Sequence, residues 1–180
     1  MVNIQDIAKY TILRLIQNGN TICPLKLQKL LYYMQAWHMV YFGRENTLFT
    51  EIPEAWVNGP VYRDVYNTYK HIGIYDQIDL KDIKVKDSYE EIVRIQQKLN
   101  LTKDQNEFIN AILLYYGTYD HDKLVFLTHS ESPWCEARRN LPLWQPSEEK
   151  LSLDTMYNYY NDRLKRNRKK HKDLKKEIKV

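Results

Sequence analysis

Residues 24–73 read PLKLQKLLYYMQAWHMVYFGRENTLFTEIPEAWVNGPVYRDVYNTYKHIG, and the fold follows from how this stretch is punctuated. Pro24 suits the first turn of a helix, where a missing N–H is no loss. Leu27, Leu30, Leu31, Met34, His38 and Tyr41 then recur at helical spacing until Gly43. Tyr33 and Trp37 widen the apolar face, so this helix is expected at the centre, covered on more than one side. Glu51 to Val57 alternates as a short strand, and Pro53 within it argues for an edge. Asn58-Gly59 supplies a turn, and Pro60 is expected to open a further helix with Val61, Val65, Tyr66 and Tyr69 as its stripe.

Upstream, Ile4, Ile7, Ala8, Ile12, Leu15 and Ile16 predict a helix over residues 4–17, ended by Asn18-Gly19. Downstream, residues 74–88 read as a connecting loop and Tyr89 to Leu99 as one short helix. Thr102 and Gln105 form a capping box, with Phe108, Ala111, Ile112, Tyr115 and Tyr119 on the expected buried side. Asp120 can cap a helix through Leu127, and Ser132-Pro133 opens another. Leu141 to Pro146 is expected to lie across the body. The fold class is mainly α: a compact single-domain helical bundle, with at most a small β element around residues 51–58. Residues 1–150 form its body; residues 151–180 form a C-terminal helix with a polybasic tail.

The chain has 180 residues, 43% hydrophobic and 28% charged, which fits one globular domain. No apolar run reaches the ~20 residues of a membrane span, and MVNIQDIAKY has no signal-peptide pattern. Cys23 and Cys135 form neither a disulfide framework nor a zinc signature, so a cytoplasmic setting is expected. The net charge of +4 hides an asymmetry. Residues 163–180 hold ten of the 27 Lys and Arg and two of the 23 Asp and Glu, so the tail is +8 and the rest −4.

Catalysis finds no support. His38, His71, His121, His129 and His171 make no HExxH or HxH pattern, and the five glycines build no phosphate loop. No metal or cofactor is expected. His38, on an apolar helix face, reads as a satisfied core histidine, and His129 as a buried hydrogen-bonding group. Fifteen Tyr and four Trp are a stronger lead, because such side chains dominate interaction hot spots. Tyr32, Tyr66 and Tyr115 are expected in the core; Tyr33, Tyr62 and Tyr69 fit either core or surface.

Leu153, Tyr157, Tyr160, Leu164, Asn167, His171, Leu174 and Ile178 follow a coiled-coil-like spacing. Leu153 to Leu164 is expected to pack on the body, with the basic remainder in solvent. That remainder suits non-specific contact with nucleic acid or an acidic partner.

Lys26-Leu27-Gln28-Lys29-Leu30-Leu31-Tyr32-Tyr33, Trp37-His38, Glu54-Ala55-Trp56, Gly59-Pro60-Val61 and Val65-Tyr66 together resemble the signature of the Panacea domain of SocA-like antitoxins, often phage-associated proteins of the GepA type. Leu124 to His129 and Glu131 to Arg138 resemble that family's later motif, and the likeness spans residues 3–140. The resemblance implies a cytoplasmic antitoxin of a bacterial or prophage toxin–antitoxin system that neutralises a protein toxin by direct contact, with a protease-adaptor role in some members. It does not reach the basic tail. The alternative class is a nucleic-acid-binding phage regulator using that tail. Partner-binding candidates are Lys26, Lys29, Tyr33, Trp56, Asn58, Tyr62, Arg63, Tyr66, His129, Trp134 and Arg138, with Lys29, Tyr33, Tyr62 and Arg63 expected at the surface.

Overall fold

Asn3 opens the first helix: its Oδ1 accepts from the N–H groups of Gln5 and Asp6, satisfying two donors that a helix start leaves free. The computed structural model describes the backbone of residues 1–177 and side chains through Lys172. Eight helices are formed among the described residues, α1 (Ile4–Gln17), α2 (Pro24–Phe42), α3 (Arg63–Tyr69), α4 (Ser88–Leu99), α5 (Lys103–Tyr116), α6 (His121–His129), α7 (Ser132–Ala137) and α8 (Leu153–Glu177). They surround one antiparallel hairpin, β1 (Glu54–Trp56) and β2 (Gly59–Val61).

Every residue of α2 from Leu25 to Met39 is buried. A helix covered all round must satisfy its polar side chains internally, and this one does. Gln35 donates to the Phe49 carbonyl and accepts from the Leu48 N–H, both at 2.8 Å. His38 Nδ1 lies 2.8 Å from the Asn46 carbonyl and Nε2 lies 3.1 Å from the Gln105 amide, as a core histidine should. Helices α1, α3, α5, α6 and α8 all pack on α2, while α4 rests on α1. The expected fold class, mainly α with a small β element, is the one found.

The hairpin corrects one expectation. Pro60 does not open a helix but lies in β2, opposite Ala55, and α3 begins at Arg63. The Ala55 N–H donates to Glu149 and its carbonyl accepts from Arg138. Both groups thus point away from β2, which makes Ala55–Pro60 a non-hydrogen-bonded pair, where a missing N–H is harmless.

Helix α5 buries Ile109, Ile112, Leu113 and Tyr116. The predicted face was rotated: Ala111 and Tyr115 are exposed, and Phe108 and Tyr119 are half-buried. Helix α8 puts Met156 and Tyr160 into the common core, with Leu153, Tyr157 and Leu164 half-buried, so the predicted packing of Leu153 to Leu164 is seen. Asn167 and His171 are exposed. Leu174 lies outside the described side chains, and Ile178 outside the described residues. Residues 142–145 wrap around Arg138, whose Nη2 donates to the carbonyls of Pro142, Leu143 and Gln145.

Candidate functional site

The eleven candidate residues separate into a buried clamp and an open groove. Six of them, Lys26, Lys29, Tyr33, Tyr62, Trp134 and Arg138, are buried. Lys29, Tyr33 and Tyr62, expected at the surface, are at most 1% exposed and lie in the interior instead. Lys29 reaches inward because Gly59 leaves room for its stem: a Cβ there would sit 2.6 Å from Lys29 Cε. Its amine donates to the Pro60 carbonyl at 3.2 Å, and burial lowers its pKa to about 7. Tyr33 stacks on Tyr116, ring centroids 3.9 Å apart. Tyr62 packs edge-on to Phe49.

Gln28, Trp134 and Arg138 hold the hairpin from two sides. Gln28 accepts from the Tyr62 N–H at 2.7 Å and donates to the Tyr62 carbonyl at 3.3 Å, imitating a neighbouring strand at the end of β2. From the opposite side Trp134 Nε1 donates to the Trp56 carbonyl at 2.9 Å, and Arg138 to the Ala55 carbonyl at 2.7 Å. His129 stacks on Trp134 at 4.0 Å; burial, then the nearby Lys29 and Arg138 charges, lower its pKa. Lys26 ties the chain before α2 to the end of α5 through the carbonyls of Thr21 and Gly117.

Trp56, Asn58, Arg63 and Tyr66 emerge from this clamp on the wall of a cleft of ≈ 540 Å³. The start of α2, the hairpin, α3 and residues 146–148 enclose it, with Leu25, Leu27, Val61, Tyr69, Ile72 and Ile74 giving it an apolar lining. The Trp56 and Tyr66 rings meet edge-to-face at 4.7 Å, and the Arg63 guanidinium lies 5.4 Å from the Trp56 ring centre. Arg63 grips Glu54 with two hydrogen bonds of 2.8 and 2.6 Å and reaches Glu148 at 2.8 Å. Trp56 Nε1 also donates to Glu54 at 2.7 Å. Burial would raise the Glu54 carboxyl, but the Arg63 and Trp56 hydrogen bonds outweigh it and hold its pKa below the ordinary value. The aromatic wall is thus held in place by the protein's own contacts. Tyr66, expected in the core, is half-buried here, whereas Tyr115 is 55% exposed elsewhere.

Sequence reasoning missed Glu131 and Glu54. Glu131 is 2% exposed and accepts from Tyr33, Tyr160 and Arg163, drawing α2, α7 and α8 together. Burial raises its pKa to about 7. Its partners stand 98, 29 and 32 positions away, so no local pattern announces it. Glu54 did carry a faint signal, alternating with Trp56 in a strand-like segment next to Arg63.

Among the described residues, no group of three or more His, Cys, Asp or Glu is arranged to hold a metal ion, and no helix is long and apolar enough to cross a membrane. A family model described as "Antitoxin SocA-like, Panacea domain" matches residues 27–135, which carry the hairpin, α3 and most of α2. No curated protein and no solved structure matches the chain.

Proposed function

The chain belongs to the antitoxin SocA-like Panacea domain family, and from that premise we propose that it neutralises a protein toxin by seating a segment of it in the cleft between α2, the hairpin and α3. One observation carries the reading: the matched region supplies the aromatic wall and, of the groups that hold it rigid, Gln28, Lys29, Glu54 and Trp134, with Arg138 just beyond it. A preformed apolar cleft bordered by Trp, Tyr and Arg is the surface on which a few anchors concentrate binding energy, because little ordering is left to do on association. Asn58, whose side chain has no hydrogen bond among the described residues, and Lys70 at the rim are the groups best placed to set register.

The test is coexpression with the product of a neighbouring gene that is toxic on its own, reading growth rescue and copurification. Trp56→Ala and Tyr66→Ala, each first shown to melt cooperatively, should lose both readouts. Wild-type protein that neither rescues growth nor retains any neighbour's product would defeat the antitoxin reading. Rescue that survives both substitutions would move the contact to another face. A protease-adaptor role is a finer proposal, and it predicts that the bound toxin is degraded faster than free toxin in cells.

A further inference from the structure

A second groove, of ≈ 700 Å³, lies between α5 and α8 with α2 as its floor. Its apolar surface comes from Trp37, Tyr41, Phe108 and Tyr115, and its α8 wall from Arg163, Leu164 and Asn167. Tyr41 and Tyr115 are 54% and 55% exposed, so both rings are within reach of a ligand. From Arg163 in the groove wall to Lys172, α8 carries seven Lys and Arg and no Asp or Glu. Lys165, Arg166, Arg168, Lys169, Lys170 and Lys172 are all exposed. Helical spacing sets Arg166 and Lys170 on the same side as Arg163 and Asn167, continuing the groove's cationic wall. The opposite wall, on α5, carries the carboxylates of Asp104 and Glu107.

We propose that this groove and the basic half of α8 form a binding site for single-stranded nucleic acid. A single strand has phosphates on one edge and flat bases on the other. The groove is asymmetric in the same sense, with cations on α8, the Tyr41 ring on its floor, and on α5 the Tyr115 ring with carboxylates that can accept from exocyclic amino groups. A duplex keeps its bases stacked inside and cannot offer them to recessed rings. An acidic protein helix would satisfy α8 but bring its own carboxylates against Asp104 and Glu107. Arg163 stays committed to Glu131 and lies 6.0 Å from the Trp37 ring centre, so Arg166 and Lys170 are the phosphate contacts nearest the rings. The site is separate from the cleft beside Trp56 and does not depend on the antitoxin reading.

The full chain is titrated with a labelled mixed-sequence DNA strand of roughly 16 nucleotides, the upper end of common single-strand site sizes, and with its duplex. The single strand should bind more tightly, weakening with salt at a log–log slope of about −2 for roughly three phosphates. Tyr115→Ala should weaken the strand about tenfold through lost stacking, while Tyr115→Phe keeps its affinity. Arg166→Gln with Lys170→Gln should weaken strand and duplex alike and make the slope shallower by about 1.4. Should Tyr115→Ala fail to melt cooperatively, Tyr41→Ala carries the same expectation. Equal binding of duplex and strand, unmoved by loss of the ring, would overturn the proposal in favour of plain polyanion attraction. Displacement of the strand by polyglutamate as readily as by unlabelled strand would overturn it in favour of an acidic protein partner. Absence of binding at roughly 0.15 M salt would also overturn it.

Discussion

The Lys29 amine stands 3.2 Å from the Pro60 carbonyl oxygen, fully buried and without a carboxylate in ion-pair range among the described residues. It is a structural pin: a lysine from the central helix fastens the hairpin that carries the aromatic wall of the cleft. Because burial lowers its pKa to about 7 from 10.5, the unfolded chain holds a proton between those values that the folded protein has shed. Its contribution to stability therefore rises with pH through that window. Lys29→Met keeps the length and removes the titration. The stability gap between wild type and Lys29→Met, read by urea unfolding, should shift in favour of wild type as pH rises from about 7 to 10.5.

Gly59 has φ +97°, and an added Cβ would meet Lys29 Cε at 2.6 Å and Thr128 Oγ1 at 2.8 Å. Gly59→Ala adds backbone strain to overpacking, and should cost about 2–4 kcal/mol. A denaturation midpoint unchanged from wild type would mean that the hairpin is not pinned from beneath.

Glu131 gives the opposite pH sign. Burial raises its pKa from 4.5 to about 7, against the pull of Tyr160 and Arg163. Between those values the folded protein keeps a proton that the unfolded chain has lost, so the contribution of this group falls as pH rises through the window. Glu131→Gln is neutral in both states. The melting temperature of the variant relative to wild type should climb between pH 4.5 and about 7; parallel profiles would mean that the carboxyl is ionised throughout.

At the cleft, Trp56→Ala should cost about 2 kcal/mol or more of partner affinity with a smaller loss of stability, since the side chain is only half-buried. Calorimetric titration with the captured partner separates this from unfolding. Lys70→Ala, at the rim, should change affinity by less than about 1 kcal/mol.

Removing residues 167–180 should leave the fold intact. Among the described side chains, those of α8 that are buried are Met156 and Tyr160, and its described contacts with Glu131 end at Arg163. Thermal melting followed by circular dichroism should show the same cooperative transition, while strand binding is lost. A broadened or missing transition would assign the tail a part in the core.

Much of the helical layout was legible because its signals are local. Asn18-Gly19, Pro24, Gly43 and the Thr102–Gln105 capping box act within one helical turn, and periodicity needs only the helix itself. The second strand was not legible, because Pro60 favours a helix start locally and only the outward-facing polar groups of Ala55 make it tolerable in a sheet. The face of α5 was misjudged for a similar reason. Its aromatic residues suit burial, yet Tyr115 looks into a groove that α8 leaves open, and Ile109 and Leu113 fill the core instead.

The sequence by itself determined that the chain is a helical domain with α2 at its centre, that charge is concentrated at its C-terminus, and that its motifs resemble the antitoxin family. Tertiary structure alone decided which motif residues are framework and which are surface. Lys29, Tyr33 and Tyr62 look like contact residues in a string of letters, because polar and aromatic side chains serve interfaces and interiors equally well. Their burial depends on partners brought together from distant positions: Pro60 for the lysine, Tyr116 and Glu131 for Tyr33, Phe49 for Tyr62. Packing against residues far along the chain sets exposure, and it leaves no local periodicity to read.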